Sequence, residues 1–249
     1  MKVCGNTDIG LVRKSNEDDY CVTKNRNGDW LAVVCDGIGG SQAGEVASHI
    51  AVNCIYEEFM KAPDLSKDKR VSAFIQESLN KANDKIYTKS MHNKKQRGMG
   101  TTCVGVIITK KGTYIFNVGD SRLYALYPDG FIQMSEDHSL IAQLLKEGKL
   151  SYEEAKGHAQ RNTLTSALGV WRVYRMDLHK IANNFKALIL CSDGLHGYVD
   201  DSEIEAVLAS EIFTLQEKVS ILISRANQAG GLDNCTIVIL EKEEGDLHD

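Results

Sequence analysis

Proline is nearly absent, with two residues in 249. No Gly/Ser-rich stretch takes its place, so nothing in the composition marks a flexible linker or a domain boundary. The first ten residues, MKVCGNTDIG, lack the apolar core that a secretory signal needs. No apolar run approaches the ~20 residues that cross a bilayer. The densest basic stretch, Lys94-Lys95-Gln96-Arg97, is short, and the chain carries a net charge of −5. It reads as a solvated loop and not as a nucleic-acid surface. Seven cysteines form no C-x-x-C pair, and Cys35, Cys103 and Cys191 sit inside apolar runs. Buried free thiols in a reducing compartment account for them. These absences predict a cytoplasmic protein with neither a membrane nor a nucleic-acid partner. Apolar residues make up 43%, ample for a sizeable core.

Periodicity predicts short strands at 1–10 and 19–24 and an apolar strand at 30–35. Amphipathic helices are expected over 42–60 and 67–90. Strands follow at 102–109, 113–118 and 122–127, the last paired with 131–134 across Pro128-Asp129-Gly130, a turn with its own chemistry. Residues 139–147 read as helix. Ser151-x-x-Glu154 is a capping-box signature for another. Residues 158–170 carry no clear period. Strands are expected at 173–181, 186–191 and 234–241, with helices at 201–209 and 214–228 and an acidic tail over 242–249. Strands and helices come in mixed groups, without steady βαβα alternation. That order predicts an α+β fold with mostly antiparallel sheets, and not a doubly wound parallel one.

What the chain does have is acids where apolar runs end. LAVVC runs into Asp36-Gly37, YIFNVG into Asp120, and LILCS into Asp193-Gly194; Asp233 precedes NCTIVIL, and Glu17-Asp18 precede a strand. Asp-Gly is also a common hairpin turn, and Asp129-Gly130 reads as nothing more. Five or six acids at strand ends are a different matter, because crowded carboxylates repel and some must protonate. A divalent cation relieves that cost, and all-oxygen ligands suit Mg²⁺ or Mn²⁺. Two such cations sharing a carboxylate can acidify a bridging water for in-line attack on phosphorus. Arg13, three residues before Asn16-Glu17-Asp18, suits a bidentate phosphate grip, although a lone arginine is equally a surface residue. No cysteine has an arginine six residues on. The glycines of DGIGGSQAG lead to no lysine, so they make no nucleotide loop. No G-x-S-x-G elbow and no EF-hand loop is present.

Eight segments, in order, then carry a resemblance: GLVRKSNEDD (10–19), VVCDGIGGSQAGEVAS (33–48), GMGTTCV (98–104), NVGDSRLY (117–124), EDHSL (136–140), QRNTLTSALG (160–169), LCSDGLHGYV (190–199) and GGLDNCTIVIL (230–240). The chain resembles the metal-dependent, 2C-type serine/threonine protein phosphatases in their compact bacterial form, over nearly its whole length. The resemblance implies a sandwich of two antiparallel sheets flanked by helices, spanning 1–241 as one domain with a flap at about 138–170. By motif position it implies that Asp36 bridges two cations, that the Gly37 carbonyl joins one, and that Asp193 and Asp233 complete the other. Glu17 and Asp18 would hold metal-bound water, Arg13 the substrate phosphate, and Asp120 a third, weaker cation. Asn16 and Asn234 would support, with Asn234 orienting Asp233. It further implies Mn²⁺ or Mg²⁺ as cofactor, phosphorylated proteins as substrates, a cognate Ser/Thr kinase among the partners, and a monomer.

Three positions depart from the family pattern. Ile38 and Ser41 stand where the family carries other residues, a histidine in the second case, and Ala159 stands where proline is common. Ile38 cannot donate a proton, so the acid for the leaving group is unassigned, with a metal-bound water as the hypothesis. Two other readings stay open: a degenerate member that only binds phosphoproteins, and a metal-dependent hydrolase of small phosphate esters.

Overall fold

The computed structural model describes residues 1–40 and 43–243. Ser41 and residues 244–249 of the expected acidic tail lie outside the described residues. The order is β1 (Lys2–Asp8), β2 (Asp18–Lys24), β3 (Trp30–Ile38), α1 (Ala43–Lys61), α2 (Asp68–His92), β4 (Gly100–Thr101), β5 (Cys103–Thr109), β6 (Gly112–Val118), β7 (Arg122–Tyr127) and β8 (Gly130–Gln133). Then come α3 (Leu140–Lys146), α4 (Tyr152–Lys156), β9 (Asp177–Ile181), β10 (Ala187–Cys191), α5 (Asp193–His196), α6 (Asp201–Ala209), α7 (Leu215–Gln228) and β11 (Cys235–Glu241). The strands form two sheets, ordered β1-β11-β10-β7-β8 and β2-β3-β5-β6-β9, with β4 added to β3. Neighbouring strands are antiparallel. The expected α+β sandwich with flanking helices is the observed fold.

Strand alternation assigns each side chain to a layer. In β3, Leu31, Val33 and Cys35 pack outward with α1 and α2 residues such as Ala47, Ile55 and Ile75. Ala32 and Val34 point inward and meet Leu188, Leu190, Val238 and Leu240 of the other sheet. The outer face of that second sheet is covered by the apolar stripe Val219, Leu222, Ile223 and Ala226 of α7. The expected capping box forms, Ser151 with Glu154 on α4, and a second that was not anticipated, Thr214 with Glu217, opens α7.

Three boundaries differ from the sequence reading for local reasons. β3 runs on to Ile38 because Gly37 and Ile38 pair with β4. Thr102 drops out of the expected 102–109 strand because its hydroxyl accepts from the Asp36 amide, 2.9 Å away. The strand expected from 173 begins at Asp177, since the Tyr174 hydroxyl is bonded to Asn80 on α2 at 2.8 Å. α5, with four residues, is too short to show a period and was not anticipated.

The end of β3 and the start of α1 nearly touch. A Cβ on Gly44 would collide with the Glu17 carboxylate and lie 2.7 Å from the Gly37 backbone. Alanine normally improves on glycine in a helix by ~1 kcal/mol. Here the sign reverses: Gly44→Ala is expected to lower stability by at least ~1 kcal/mol, read from urea denaturation. A stabilised variant would mean that this contact does not constrain the site.

Candidate active site

Continuing the β3 alternation past Ala32 and Val34 puts Asp36 on the inward face, where the apolar layer ends. Asp18 is its direct partner in the β2–β3 ladder, so it shares that face, behind Tyr20 and Val22. Asp193 begins α5 just after β10, and Asp233 lies two residues before β11. Asp120 lies in the turn between β6 and β7. Strand ends from both sheets therefore deliver acids to one end of the sandwich.

A cleft of about 380 Å³ opens there. Arg13, Glu17, Asp36, Gly37, Asp120, Asp193, Asp233 and Asn234 all line it. Asn16 and Asp18 do not; they line a separate cavity with Asp19, Glu45 and His49. Asp18 is 7% exposed and accepts from the Ser192 hydroxyl at 2.7 Å. The Asn16 side chain accepts from the Asp18 amide at 3.1 Å and donates to Thr7 at 2.8 Å, which fixes the chain entering β2.

Around Asp36 and Asp120 the surroundings hold the backbone. Thr102 binds the Asp36 amide through its hydroxyl (2.9 Å), while the Thr101 hydroxyl and Thr102 amide donate to the Asp36 carbonyl, each at 2.9 Å. Gly119, at φ +102°, turns the chain into Asp120. Its amide donates to His138 Nδ1 at 3.2 Å, and His196 Nε2 lies 3.0 Å from the Asp120 carbonyl. The Asn234 side chain does not orient Asp233, as the sequence reading expected. It accepts from the Glu17 amide (2.8 Å) and donates to the carbonyls of Ile9 (2.9 Å) and Ser15 (3.1 Å), pinning the loop that carries Arg13. The Asn234 backbone amide is what donates to Asp233, at 2.9 Å.

The carboxylates pay for this crowding in protonation. Burial pushes Asp18 up to about 7 against the opposing bonds from Ser192 and Thr236. Burial, then Asp193, pushes Asp120 up to about 8. Burial, then Asp233, pushes Asp193 up to about 6. Asp36 is raised well above the usual carboxylate range by burial and then by Asp18, Asp193, Asp120 and Asp233. Arg13 Nη2 reaches Asp233 at 2.7 Å and its Nε the Leu232 carbonyl at 3.3 Å. Among the described residues, no three Asp, Glu, His or Cys side chains stand close enough to hold a cation as they are. Yet among the described residues four buried side-chain oxygens lack a partner, and two of them are Asp18 Oδ1 and Asp193 Oδ1. Buried acceptors without donors, all of them oxygen, fit a hard cation.

Sequence reasoning missed Ser192, Thr102, His138 and His196 as supports. Ser192 was accessible to it: the alternation that points Leu188 and Leu190 inward points Ser192 inward too.

Comparison with known proteins agrees with this geometry. The family model described as protein phosphatase 2C matches residues 11–226. The serine/threonine phosphatase Stp of Listeria monocytogenes is 37% identical over 238 residues, 95% of this chain and 94% of that protein. The protein phosphatase PhpP of Streptococcus pneumoniae is 33% identical over 247 residues, 99% of each chain. The crystal structure of the serine/threonine phosphatase Stp1 from Staphylococcus aureus superposes with a TM-score of 0.91 at 34% identity, covering 97% of this chain and 95% of that one. The chain belongs to the protein phosphatase 2C family of serine/threonine phosphatases.

Proposed function

We propose that the chain hydrolyses phosphoserine and phosphothreonine in proteins at a site for two hard cations, Mn²⁺ or Mg²⁺, and so opposes a cytoplasmic Ser/Thr kinase. The observation that carries this reading is the gathering of Asp36, Asp193 and Asp233 at one cleft beside Arg13, with carboxylate oxygens left unpartnered. Asp36, the Gly37 carbonyl, Asp193 and Asp233 would hold the two cations, and Asp120 with Asp193 a third. Glu17 lines the cleft and would act through water; Asp18 would do so through its unpartnered Oδ1. When bound, such cations supply a nucleophilic water at neutral pH and neutralise phosphoryl charge.

The rest of the work falls to this chain's own groups. Arg13 binds the phosphate. Its charge is opposed by burial but favoured more strongly by Asp233, then Asp193 and Asp36, so it stays cationic. Thr102 and Asn234 fix the backbone from which Asp36 and Arg13 project. Ile38, in the cleft wall, offers no proton to the leaving alkoxide. Residues 138–170 form the flap: Asn162, Leu164 and Ala167 reach the cleft, and Ser139 bridges Leu164 across the segment. The seven cysteines are free, which agrees with a reducing, cytoplasmic setting; no helix among the described residues is long and apolar enough to cross a membrane. Every expected ligand position is intact, which weighs against a degenerate binding module.

Phosphate release from a phosphothreonine peptide is expected with Mn²⁺ or Mg²⁺, to stop in EDTA, and to exceed release from a phosphotyrosine peptide. Asp36→Asn should cost at least ~10³-fold in kcat, a loss of about 4 kcal/mol in transition-state stabilisation, while leaving a folded protein. A variant within tenfold of wild type would place the site elsewhere.

The raised pKa values set a second test. These acids hold protons in the folded state that the unfolded chain releases, so their stabilising effect is present near pH 4 and lost as pH rises through about 6 to about 8. In EDTA, the melting temperature should therefore fall between pH 6 and pH 8.5. Millimolar Mn²⁺ should raise it most at the higher pH, by mass action on the folded state. A melting temperature that rises with pH in EDTA, or ignores Mn²⁺, would contradict the crowded-carboxylate account.

A further inference from the structure

The cleft is lined by two chemically distinct sets of residues: the acids and Arg13, and the apolar Ile38, Leu164, Ala167, Val170 and Trp171. Hydrolysis of a phosphate ester needs only the first set. Trp171 remains 44% exposed, although a buried indole would contribute more to the fold.

The backbone around Trp171 is fixed on both sides. Asn83 of α2 is 1% exposed. Its side chain accepts from the Gly169 amide at 2.7 Å and donates to the Arg172 carbonyl at 3.2 Å, bracketing Val170 and Trp171. Gly169 adopts φ +84°, and a Cβ there would collide with Ile86. The Arg172 guanidinium lies 5.5 Å over the Tyr87 ring. On the inner side Val170 fills the space that a side chain on Gly100 would occupy. An exposed tryptophan on a clamped backbone is a preorganised apolar contact, since little entropy is lost when something packs on it.

We infer that Val170 and Trp171 form a subsite for an apolar side chain flanking the phosphorylated residue of the substrate protein, with Trp171 the residue that sets the preference. The phosphate belongs with Arg13, and the apolar set offers it no charge. A flanking side chain within three residues, roughly 10 Å of extended chain, can reach the shelf in the same cleft. The inference rests on the phosphatase reading above and adds a substrate class to it.

The test uses the full chain with Mn²⁺ and phosphothreonine peptides carrying Leu, Asp or Gly at each of three positions on either side. Wild type should favour Leu at one or more positions by about tenfold in kcat/KM, expressed in KM. Trp171→Ala should erase that preference while leaving kcat, the all-Gly peptide and the melting temperature unchanged. Trp171→Phe should keep most of it. A wild type indifferent to Leu, or a Trp171→Ala variant slowed equally on all peptides, overturns the subsite and leaves the phosphatase reading standing. A wild type inactive on every peptide overturns both.

Discussion

Like-charge crowding at the open end of the sandwich is the constraint on which the rest depends. Asp18 and Asp36 face each other across a ladder, which sets their Cβ atoms about 5 Å apart. At an effective dielectric constant near 20, two full charges at that distance repel by roughly 3 kcal/mol. Asp120, Asp193 and Asp233 add to the same field at Asp36. A domain stable by roughly 5–15 kcal/mol cannot carry all of these as free anions. It can protonate some, pair some with Arg13, or recruit cationic charge. The first two solutions operate together: burial and its neighbours favour the protonated form of Asp36, and Arg13 holds Asp233.

The scaffold answers that constraint by gripping main chain. Thr101 and Thr102 bind the peptide groups of Asp36, His138 and His196 those of Gly119 and Asp120, and Asn234 those of Glu17, Ile9 and Ser15. Neutral hydrogen bonds thus fix where each acid leaves the backbone and leave carboxylate oxygens such as Asp193 Oδ1 without donors. The two sheets matter for the same reason. A strand clamped by the fully buried Leu31 to Cys35 cannot slip register, since one residue of slip would turn Asp36 to the helix-covered face.

Much of this was legible in the chain because it depends on local order. Apolar runs ending in Asp-Gly, the capping box at Ser151, and the Pro128-Asp129 hairpin each sit within a few residues. The phase of β3 was legible too, since Ala32, Val34 and Asp36 share one face by alternation alone. The partners of the supports were not, because they join distant segments. Asn83 meets Gly169 across 86 positions, and Ser192, whose inward face alternation does give, meets Asp18 across 174. Neither residue type announces such a partner. Asn234 shows the same limit: its neighbour Asp233 suggested one duty, and the fold gave its side chain another.

The pairing of Arg13 with Asp233 reconciles two roles that compete for one guanidinium. Half of the Arg13 side chain is exposed, and pairs of that kind are worth about 0–1 kcal/mol. Such a bond is enough to hold a long side chain over the cleft and too weak to keep it from a phosphate dianion, which offers stronger charge-assisted hydrogen bonds. Asp233 loses little in the exchange, because its other oxygen keeps the Asn234 amide and a cation can take up the charge that Arg13 gives back. The same residue that pairs with Asp233 is therefore poised to be handed to the substrate. The crowded acids make that exchange favourable once a cation enters the cleft, since it lets them trade protons and side-chain pairs for coordination and offsets the charge of the arriving phosphate.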